Sequence, residues 1–560
     1  MKIFLAQQNY HIGNFELNTQ KIIEAIEAAK AQQGDLIVFS EMCVCGYPAR
    51  DFVEFDDFIQ KCYTAINTIR QHADTIGVLI GSPSKNKIKE GKDLFNAAFF
   101  LYEKEIKAEV HKTLLPTYDV FDEYRYFEPA YDWNIINFKN KKLAVTICED
   151  IWNLGDNPLY RICPMDELMK QEPDVMINLS ASPFDYTHIE DRKAIIKANV
   201  LKYKLPLIYC NTVGSQTEIV FDGASLVFDK NANLIKALPV FKEAIDCIEL
   251  NNDGTFEATI IESANKISNK ELNPSTLNEQ LNIAQIHDAL VLGINDYFSK
   301  MNFTKAIIGS SGGIDSAVAL ALACKALGAE NVKAVLMPSL YSSEHSVNDA
   351  MQLSKNLNNP YDILNINNIY ESFLQTLQPL FKDLPFSVAE ENIQSRSRGN
   401  LLMAMANKFG YVLLNTSNKS ELAVGYGTLY GDMAGGLSIL GDCYKLQVYA
   451  LANYINRDKE IIPENIISKA PSAELRPEQK DSDSLPDYNI LDKILYLYIE
   501  ERLGPNEIKA IGFDAPLVDR VLKMVNNNEY KRNQFCPIIR ISSKAFGSGR
   551  RMPIVGKYLS

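Results

Sequence analysis

Three side chains in the first half of the chain, and one turn in the second, have the make-up to do chemistry. Glu41 closes the apolar run LIVFS, Lys112 lies in VHKTLLPTYDVFDEYRYFEP, and Cys148 follows LAVTI and precedes Glu149 and Asp150. A carboxylate, an ammonium and a thiol form a coherent set for attacking an amide. The thiolate is a strong nucleophile, and a neighbouring cation lowers its pKa. The carboxylate takes the thiol proton and hands one to departing ammonia, while the cation steadies the oxyanion. Spacing alone does not bring the three together. Taken singly, Cys148 also reads as a buried strand thiol, Glu41 as a strand-end cap and Lys112 as a solvated surface lysine.

The turn lies in 305–316, KAIIGSSGGIDS. A short apolar run gives way to Gly309, Ser310, Ser311, Gly312 and Gly313, and Ile314, Asp315 and Ser316 then open an amphipathic run. That pattern predicts strand, turn and helix. Glycines let backbone N–H groups approach an anion, and a helix N-terminus adds about half a positive charge, so the turn is a candidate phosphate cradle. An ordinary βα turn with a Ser/Asp cap is the plain alternative. No Gly-Lys-Ser/Thr follows, which excludes a Walker loop, and the glycine spacing is not that of a dinucleotide fingerprint. The order S-G-G-x-D-S resembles the pyrophosphate-binding loop of the PP-loop ATP pyrophosphatases, which cleave ATP between the α- and β-phosphates.

Bulk properties narrow the class. At 560 residues the chain exceeds one hydrophobic core, so two or more domains are expected. A net charge of −13 argues against a general nucleic-acid or anionic-membrane binder. The ten cysteines are scattered without a C-x-x-C pair, which suits a reducing cytoplasm and gives no zinc knuckle. Cys43 and Cys45 read as two small buried residues. The N-terminal apolar stretch is too short for a signal peptide, and no run approaches the length of a membrane helix.

Positioning those groups requires strands. In the first half 2–8, 36–41, 77–83, 97–103, 142–150, 174–182, 204–214 and 223–229 read as strands, with a helix over 14–33 and further helical patterns between. From Leu250 the composition turns polar, so the expected organisation is a first domain over 1–250, a linker over 251–275 and a second domain over 276–560. A helix pattern runs from Leu277 toward Phe298. Strands are then expected at 331–339, 361–366 and 411–416, and helices at 343–357, 390–409 and 442–456. This alternation predicts a parallel, doubly wound sheet with its ligand at the carboxyl ends of the strands.

Four patches fit a nucleotide there. Arg396 and Arg398, in ENIQSRSRGN, suit phosphates or a carboxylate. Glu421, in NTSNKSELAVGYGTLYGD, would join Asp315 as a second hard oxygen ligand for Mg2+. The Pro-punctuated loop 469–488 reads as a lid or as an inert loop. The tail, 523–560, holds eight Lys/Arg against the single acid Glu529, which suits anionic ligands, with Lys531, Lys544, Arg550 and Arg551 as candidates.

Two resemblances organise these residues. The order Glu41, Lys112, Cys148, with HKTLLPTYDVFDEYRYFEP and ICEDIW around it, resembles the nitrilase (carbon–nitrogen hydrolase) superfamily. More narrowly, it resembles the glutaminase domains attached to NAD synthetases. The fold implied is an α-β-β-α sandwich. By that resemblance Tyr118, Glu149, Ser182 and His188 would contact glutamine. His188 stands where relatives often carry lysine, and Ser40 where many nitrilases place proline. Glu123 would be a second carboxylate near the triad, with an ion pair to Arg125 or another base as the alternative.

GSSGGIDS, ENIQSRSRG, NKSE, GYGTLYGD, PSAELRPEQ and KAFGSGRRMP resemble the NAD synthetase family, whose domain is a Rossmann-like PP-loop α/β fold. Carried over, 309–316, Arg396, Thr416 and Lys445 would hold ATP. Asn392, Glu421, Asp432 and Lys531 would contact deamido-NAD, and Asp315 and Glu421 would hold Mg2+. Nearly the whole chain thus resembles the long, glutamine-dependent two-domain form of that family. The implied reaction is amidation of deamido-NAD to NAD through an adenylate, with ATP giving AMP and pyrophosphate. The implied setting is a cytoplasmic homo-oligomer, a dimer or larger, acting on small molecules, with no nucleic acid or membrane partner.

Other readings fit less well. GMP synthetase-like chains carry a Cys-His-Glu glutaminase, asparagine synthetase-like chains need cysteine at position 2 where this chain has Lys2, and tRNA-sulfurating proteins show paired cysteines and a basic surface. A nucleotide-binding scaffold would not need all of Glu41, Lys112, Cys148, Asp315 and Glu421.

Overall fold

The structure is a computed structural model that describes residues 1–154, 158–251, 253–256, 280–477 and 479–559. Beyond 256, the expected linker lies outside the described residues. The chain divides into two units, Met1–Ser268 and Asn269–Ser560.

The strands of the first unit, in chain order, are Lys2–Gln7 (β1), Leu36–Val38 (β2), Gly77–Lys85 (β3), Leu94–Tyr102 (β4), Glu105–His111 (β5), Ile136–Phe138 (β6), Lys141–Ile147 (β7), Val175–Ser180 (β8), Leu207–Asn211 (β9), Val213–Gln216 (β10), Ile219–Asp222 (β11), Leu226–Phe228 (β12), Leu234–Ala237 (β13) and Ala244–Glu249 (β14). One six-stranded sheet has the order β14-β1-β2-β3-β4-β5 and the other β13-β12-β9-β8-β7-β6, while β10 and β11 form a separate hairpin. Each large sheet has a parallel centre (β1-β2-β3; β9-β8-β7) flanked by antiparallel strands.

Period-two alternation makes the four layers. Ile3, Leu5 and Val38 of the first sheet meet Val145, Ile147, Ile177 and Ile208 of the second in one dry layer. The alternate residues Phe4, Ala6, Ile37 and Val78 face helices Phe15–Ala31 and Asp56–Ile69. On the far side Met176, Leu207 and Leu226 pack against Ile196 and Val200 of helix His188–Tyr203. Helix Phe15–Ala31 starts where Asn14 accepts the Leu17 N–H at 3.2 Å, and buries Ile22, Ala25, Ile26 and Ala29 on one face.

Three sequence expectations are corrected here. The strand expected over 36–41 stops at Val38, so Glu41 begins a turn rather than ending a strand. The strand expected over 142–150 stops at Ile147, because Cys148 turns out of the sheet with φ +43° and starts a 3-10 turn, Cys148–Ile151. Residues 204–214 form two short strands, β9 and β10.

In the second unit Ala306–Gly309 (β15), Val332–Leu336 (β16), Tyr361–Ile363 (β17), Val412–Asn415 (β18) and Leu437–Ser438 (β19) form one parallel sheet in the order β17-β16-β15-β18-β19. The order reverses at β15, the switch point where open α/β sheets bind ligands. Helix Ile314–Leu327 follows β15 and is almost wholly buried. Helix Val388–Phe409 packs Leu402 and Ala406 onto Ile307, Val335 and Leu413. Among the described residues, no helix is long and apolar enough to cross a membrane.

Candidate active sites

In the first unit Glu41, Lys112 and Cys148 follow β2, β5 and β7, so two different sheets deliver them to one place. Lys112 is not a solvated surface lysine: it is fully buried, and its Nζ donates to Glu41 Oε1 and Glu123 Oε1, both at 2.8 Å. Glu41 Oε1 also accepts from Asn96 Nδ2 at 2.6 Å, and Oε2 from the Ala181 N–H at 2.9 Å. Tyr47 donates its hydroxyl to Glu123 Oε1 at 2.8 Å. Glu123 therefore pairs with Lys112 rather than Arg125. Its carboxyl is pushed up to about 7, by burial first and by Glu41, with Lys112 pulling it back.

Cys148 is buried beside these charges. Burial, then the Glu41 carboxylate, raises its thiol well above the ordinary range, and Lys112 only partly opposes this. The expectation that the cation would dominate is thus reversed by desolvation. At rest the sulfur is a thiol, so attack needs a base at the moment of reaction, and Glu41 is the carboxylate held ready for that.

Of the residues expected to contact glutamine, Tyr118 and Glu149 lie within electrostatic reach of Cys148. Tyr118 donates to both oxygens of Glu149 at 2.9 Å, and Tyr160 donates to Oε1 at 3.2 Å. Ser182 Oγ and His188 Nε2 share a hydrogen bond of 2.9 Å, and the imidazole stacks on Trp152 with centroids 4.9 Å apart. The Ser182 N–H is fixed by Asn211 Oδ1 at 2.8 Å.

In the second unit 309–316 form the expected strand end, turn and helix start. Gly312 has φ +78°, and a Cβ there would lie 2.2 Å from the Ser346 carbonyl oxygen, so only glycine fits. The Ser311 hydroxyl accepts the Gly313 N–H at 3.2 Å, and the Ser316 hydroxyl donates to the Gly313 carbonyl at 3.0 Å. These bonds shape the turn from within. Ile314 is core, so only its backbone can face a ligand. Gly309, Ser310 and Ser311 line a cavity of about 250 Å3, with Met337 and Leu402 as apolar wall and Arg398, Thr416, Asp432 and Glu474 among its polar lining. The Ser310 hydroxyl is buried there and has no hydrogen-bond partner among the described residues, as a group awaiting a ligand would be.

Asp315, Glu421 and Lys445 meet at the head of that helix. Lys445 Nζ bonds Asp315 Oδ2 at 2.5 Å and Glu421 Oε1 at 3.4 Å. Asn418 orients both carboxylates: it donates to Asp315 Oδ1 at 2.9 Å and caps the helix that carries Glu421. Asp481 of the 469–488 loop acts on Lys445 and Glu421 electrostatically and accepts from Tyr488 at 3.0 Å. Asp315 and Glu421 thus present carboxylate oxygens, the donor type that Mg2+ takes, beside the Gly/Ser turn, although among the described residues no group of three or more His, Cys, Asp or Glu side chains is gathered to hold a metal ion.

Burial, then Asp315, pushes the Glu421 carboxyl up to about 8, with Lys445 opposing. Because the folded value is raised, protonation of Glu421 favours folding. That stabilisation is complete below the ordinary 4.5 and is lost as pH rises through about 8. The melting temperature of the ligand-free protein is therefore expected to fall between pH 6 and 8.5, and Glu421→Gln to flatten that fall. Equal slopes for parent and variant would contradict it.

The residues expected to touch a dinucleotide gather around the turn 425–432. Thr428 donates its hydroxyl to Asn392 Oδ1 at 2.7 Å and its N–H to Asp432 Oδ1 at 2.5 Å, and Lys531 Nζ holds the Gly425 and Gly427 carbonyls at 2.7 and 2.9 Å. Arg396 is exposed and donates to the Leu429 carbonyl at 3.2 Å, outside the cavity lining, whereas Arg398 is part of that lining. Arg550 is corrected: it is buried, with its guanidinium 2.7 Å from Glu529, which also binds Arg532 at 2.7 Å. The lone acid of the basic tail is thus shared by two of its bases, Arg532 and Arg550, and offsets one of their two charges. Asn96, Tyr47, Asp150, Asn418 and Asp481 were not legible as site residues. Asn96 and Tyr47 stand in ordinary stretches, Asp481 in the 469–488 loop, and Asp150 and Asn418 inside ICEDIW and NKSE beside the acids singled out there; what marks all five is burial.

Comparison with known proteins gives one picture. Residues 2–254 match the carbon–nitrogen hydrolase family and residues 286–535 the NAD synthase family. The chain is 42% identical to a glutamine-dependent NAD(+) synthetase of Synechocystis sp., covering 99% of this chain and 98% of that protein. It is 40% identical to one of Thermotoga maritima, covering 100% and 99%. A solved glutamine-dependent NAD+ synthetase from Acinetobacter baumannii, in complex with ADP, superposes with a TM-score of 0.77 at 38% identity, covering 99% of this chain and 98% of that one.

Proposed function

Because the chain belongs to the glutamine-dependent NAD(+) synthetases, we propose that its two units carry out the two half-reactions of that ligase with the residues described above. The protein is a C–N-bond-forming ligase that makes NAD from deamido-NAD, with glutamine as amide donor and ATP as energy source. The observation that carries this is similarity over essentially the whole chain. The geometry of both sites supports the residue roles.

In the first half-reaction Cys148 Sγ attacks the glutamine carboxamide carbon. Glu41 takes the thiol proton and delivers it to the nitrogen, so that ammonia leaves. Lys112, pinned by Glu41 and Glu123, faces the developing oxyanion. Water, deprotonated by Glu41, then clears the thioester to glutamate. Tyr118, Glu149, Ser182 and His188 bind the substrate's polar ends.

In the second, the nicotinate carboxylate of deamido-NAD attacks the α-phosphate of ATP and pyrophosphate departs. A carboxylate is a poor acyl donor because its oxygen leaves badly, and adenylation turns that oxygen into AMP. Ammonia then displaces AMP and NAD results. The 309–316 backbone and Lys445 counter the phosphate charge, while Thr416 lines the nucleotide cavity. Arg396 contacts ATP from the rim, and Asn392, Asp432 and Lys531 hold the dinucleotide. Asp315 and Glu421 would hold Mg2+, which when bound neutralises triphosphate charge and leaving pyrophosphate.

All ten cysteines are free, which suits a reducing cytoplasm as the setting. A homo-oligomer, dimer or larger, completes the reading, and light scattering decides it. The functional test is direct. Purified protein given ATP, Mg2+, glutamine and deamido-NAD is expected to yield NAD, AMP, pyrophosphate and glutamate. ATP binding with none of these products would leave only a nucleotide-binding scaffold.

A further inference from the structure

Asp150 has no part in the mechanism above, yet it is buried at the joint of the first site. Its Oδ1 accepts the backbone N–H of Thr113 at 3.0 Å and of Leu114 at 2.9 Å, and its Oδ2 accepts the N–H of Ile147 at 3.0 Å. Thr113 directly follows Lys112, and Ile147 directly precedes Cys148. The two segments leave different sheets, β5 from one and β7 from the other. Among the described residues no strand ladder joins those sheets. Between them a few hydrogen bonds, such as Ala181 N–H to Glu41 Oε2 at 2.9 Å and Cys210 Sγ to the Val38 carbonyl at 3.3 Å, accompany apolar packing, which is itself non-directional and does not fix a register. Attack geometry must be held far more tightly than that. Cys148 also sits at φ +43°, a backbone state a cysteine adopts only when its surroundings enforce it.

We infer that Asp150 is a positioning residue for amide hydrolysis: its carboxylate straps the chain leaving Lys112 to the chain entering Cys148. This rests on the reading of the first unit as a glutaminase. Asparagine has the same shape but only one acceptor oxygen, so Asp150→Asn strands at least one of the three N–H groups and turns its own N–H toward it.

The test compares glutamine-supported with ammonia-supported NAD formation in Asp150→Asn. Expected is a fall of about 10²-fold in glutamine-supported kcat, as for misplacement of reacting groups by about 1 Å. KM for glutamine should stay within about threefold, and the ammonia-supported rate should match the parent's. A kcat loss below about threefold, or a loss carried by KM instead, overturns the strap. Should the variant not fold, hydrogen exchange of the parent decides. The Thr113, Leu114 and Ile147 amides are expected to exchange as slowly as strand amides, and exchange of Thr113 and Leu114 at open-loop rates overturns it. Failure of the underlying glutaminase reading shows separately, as glutamine use that survives loss of the Cys148 sulfur.

Discussion

Cys148→Ala is expected to abolish NAD formation from glutamine while leaving formation from supplied ammonia at the parent rate. The loss should be at least about 10³-fold, since without the sulfur no thioester forms and the remaining groups only polarise the amide. The fold should tolerate the change, because alanine removes one buried atom and leaves the Lys112, Glu41 and Glu123 bonds untouched. Steady-state NAD assays with each nitrogen donor check it. Glutamine-driven turnover in the variant would end the assignment of Cys148 as nucleophile. The raised thiol pKa adds a detail: the resting sulfur should react slowly with alkylating agents at neutral pH, because burial holds it protonated.

Asp315→Asn is expected to stop pyrophosphate release with either nitrogen donor. Asp315 is the carboxylate bonded both to Lys445 and to Asn418, at the end of the Gly/Ser turn proposed to hold phosphate. Asparagine keeps the volume but removes the charge that locates the Lys445 ammonium and that would bind a divalent cation. A loss of about 10²- to 10³-fold in kcat is the scale for removing one such electrostatic element. Asp315 takes no chemical part in glutamine hydrolysis at the first site, so glutamate release is expected to persist in the variant. Pyrophosphate release at the parent rate would show that the ATP site has been misread.

Much of both candidate sites was legible because their residues lie in short motifs. The 305–316 turn announces itself by glycine order, and Gly312 is glycine for a reason visible in space, the Ser346 carbonyl. Glu41, Lys112 and Cys148 stand far apart in sequence; Glu41 and Cys148 each follow an apolar run that forms a buried strand, whereas Lys112 follows the charged strand β5 and was legible only from the motif around it. What escaped has a common cause. Asn96 sits inside β4, Tyr47 in a turn and Asp150 one residue past the expected acid, and their roles exist only where two sheets meet. Strand β5, rich in charge and largely exposed at a sheet edge, lacks the apolar signal by which its neighbours were read. Helix Ala515–Asn527 has no counterpart among the sequence expectations, although Val518, Val521, Leu522 and Val525 mark its buried face at helical spacing. Arg550 was read for its charge, which Glu529 had already taken.

The nitrogen freed at Cys148 is expected to become the carboxamide nitrogen of NAD made in the second unit. Mass spectrometry of NAD formed from amide-15N glutamine, ATP, Mg2+ and deamido-NAD tests it most directly. The account predicts NAD heavier by one mass unit in the parent, and unlabelled NAD when Cys148→Ala is given the same glutamine together with unlabelled ammonia. Unlabelled NAD from the parent, or labelled NAD from the variant, would contradict it.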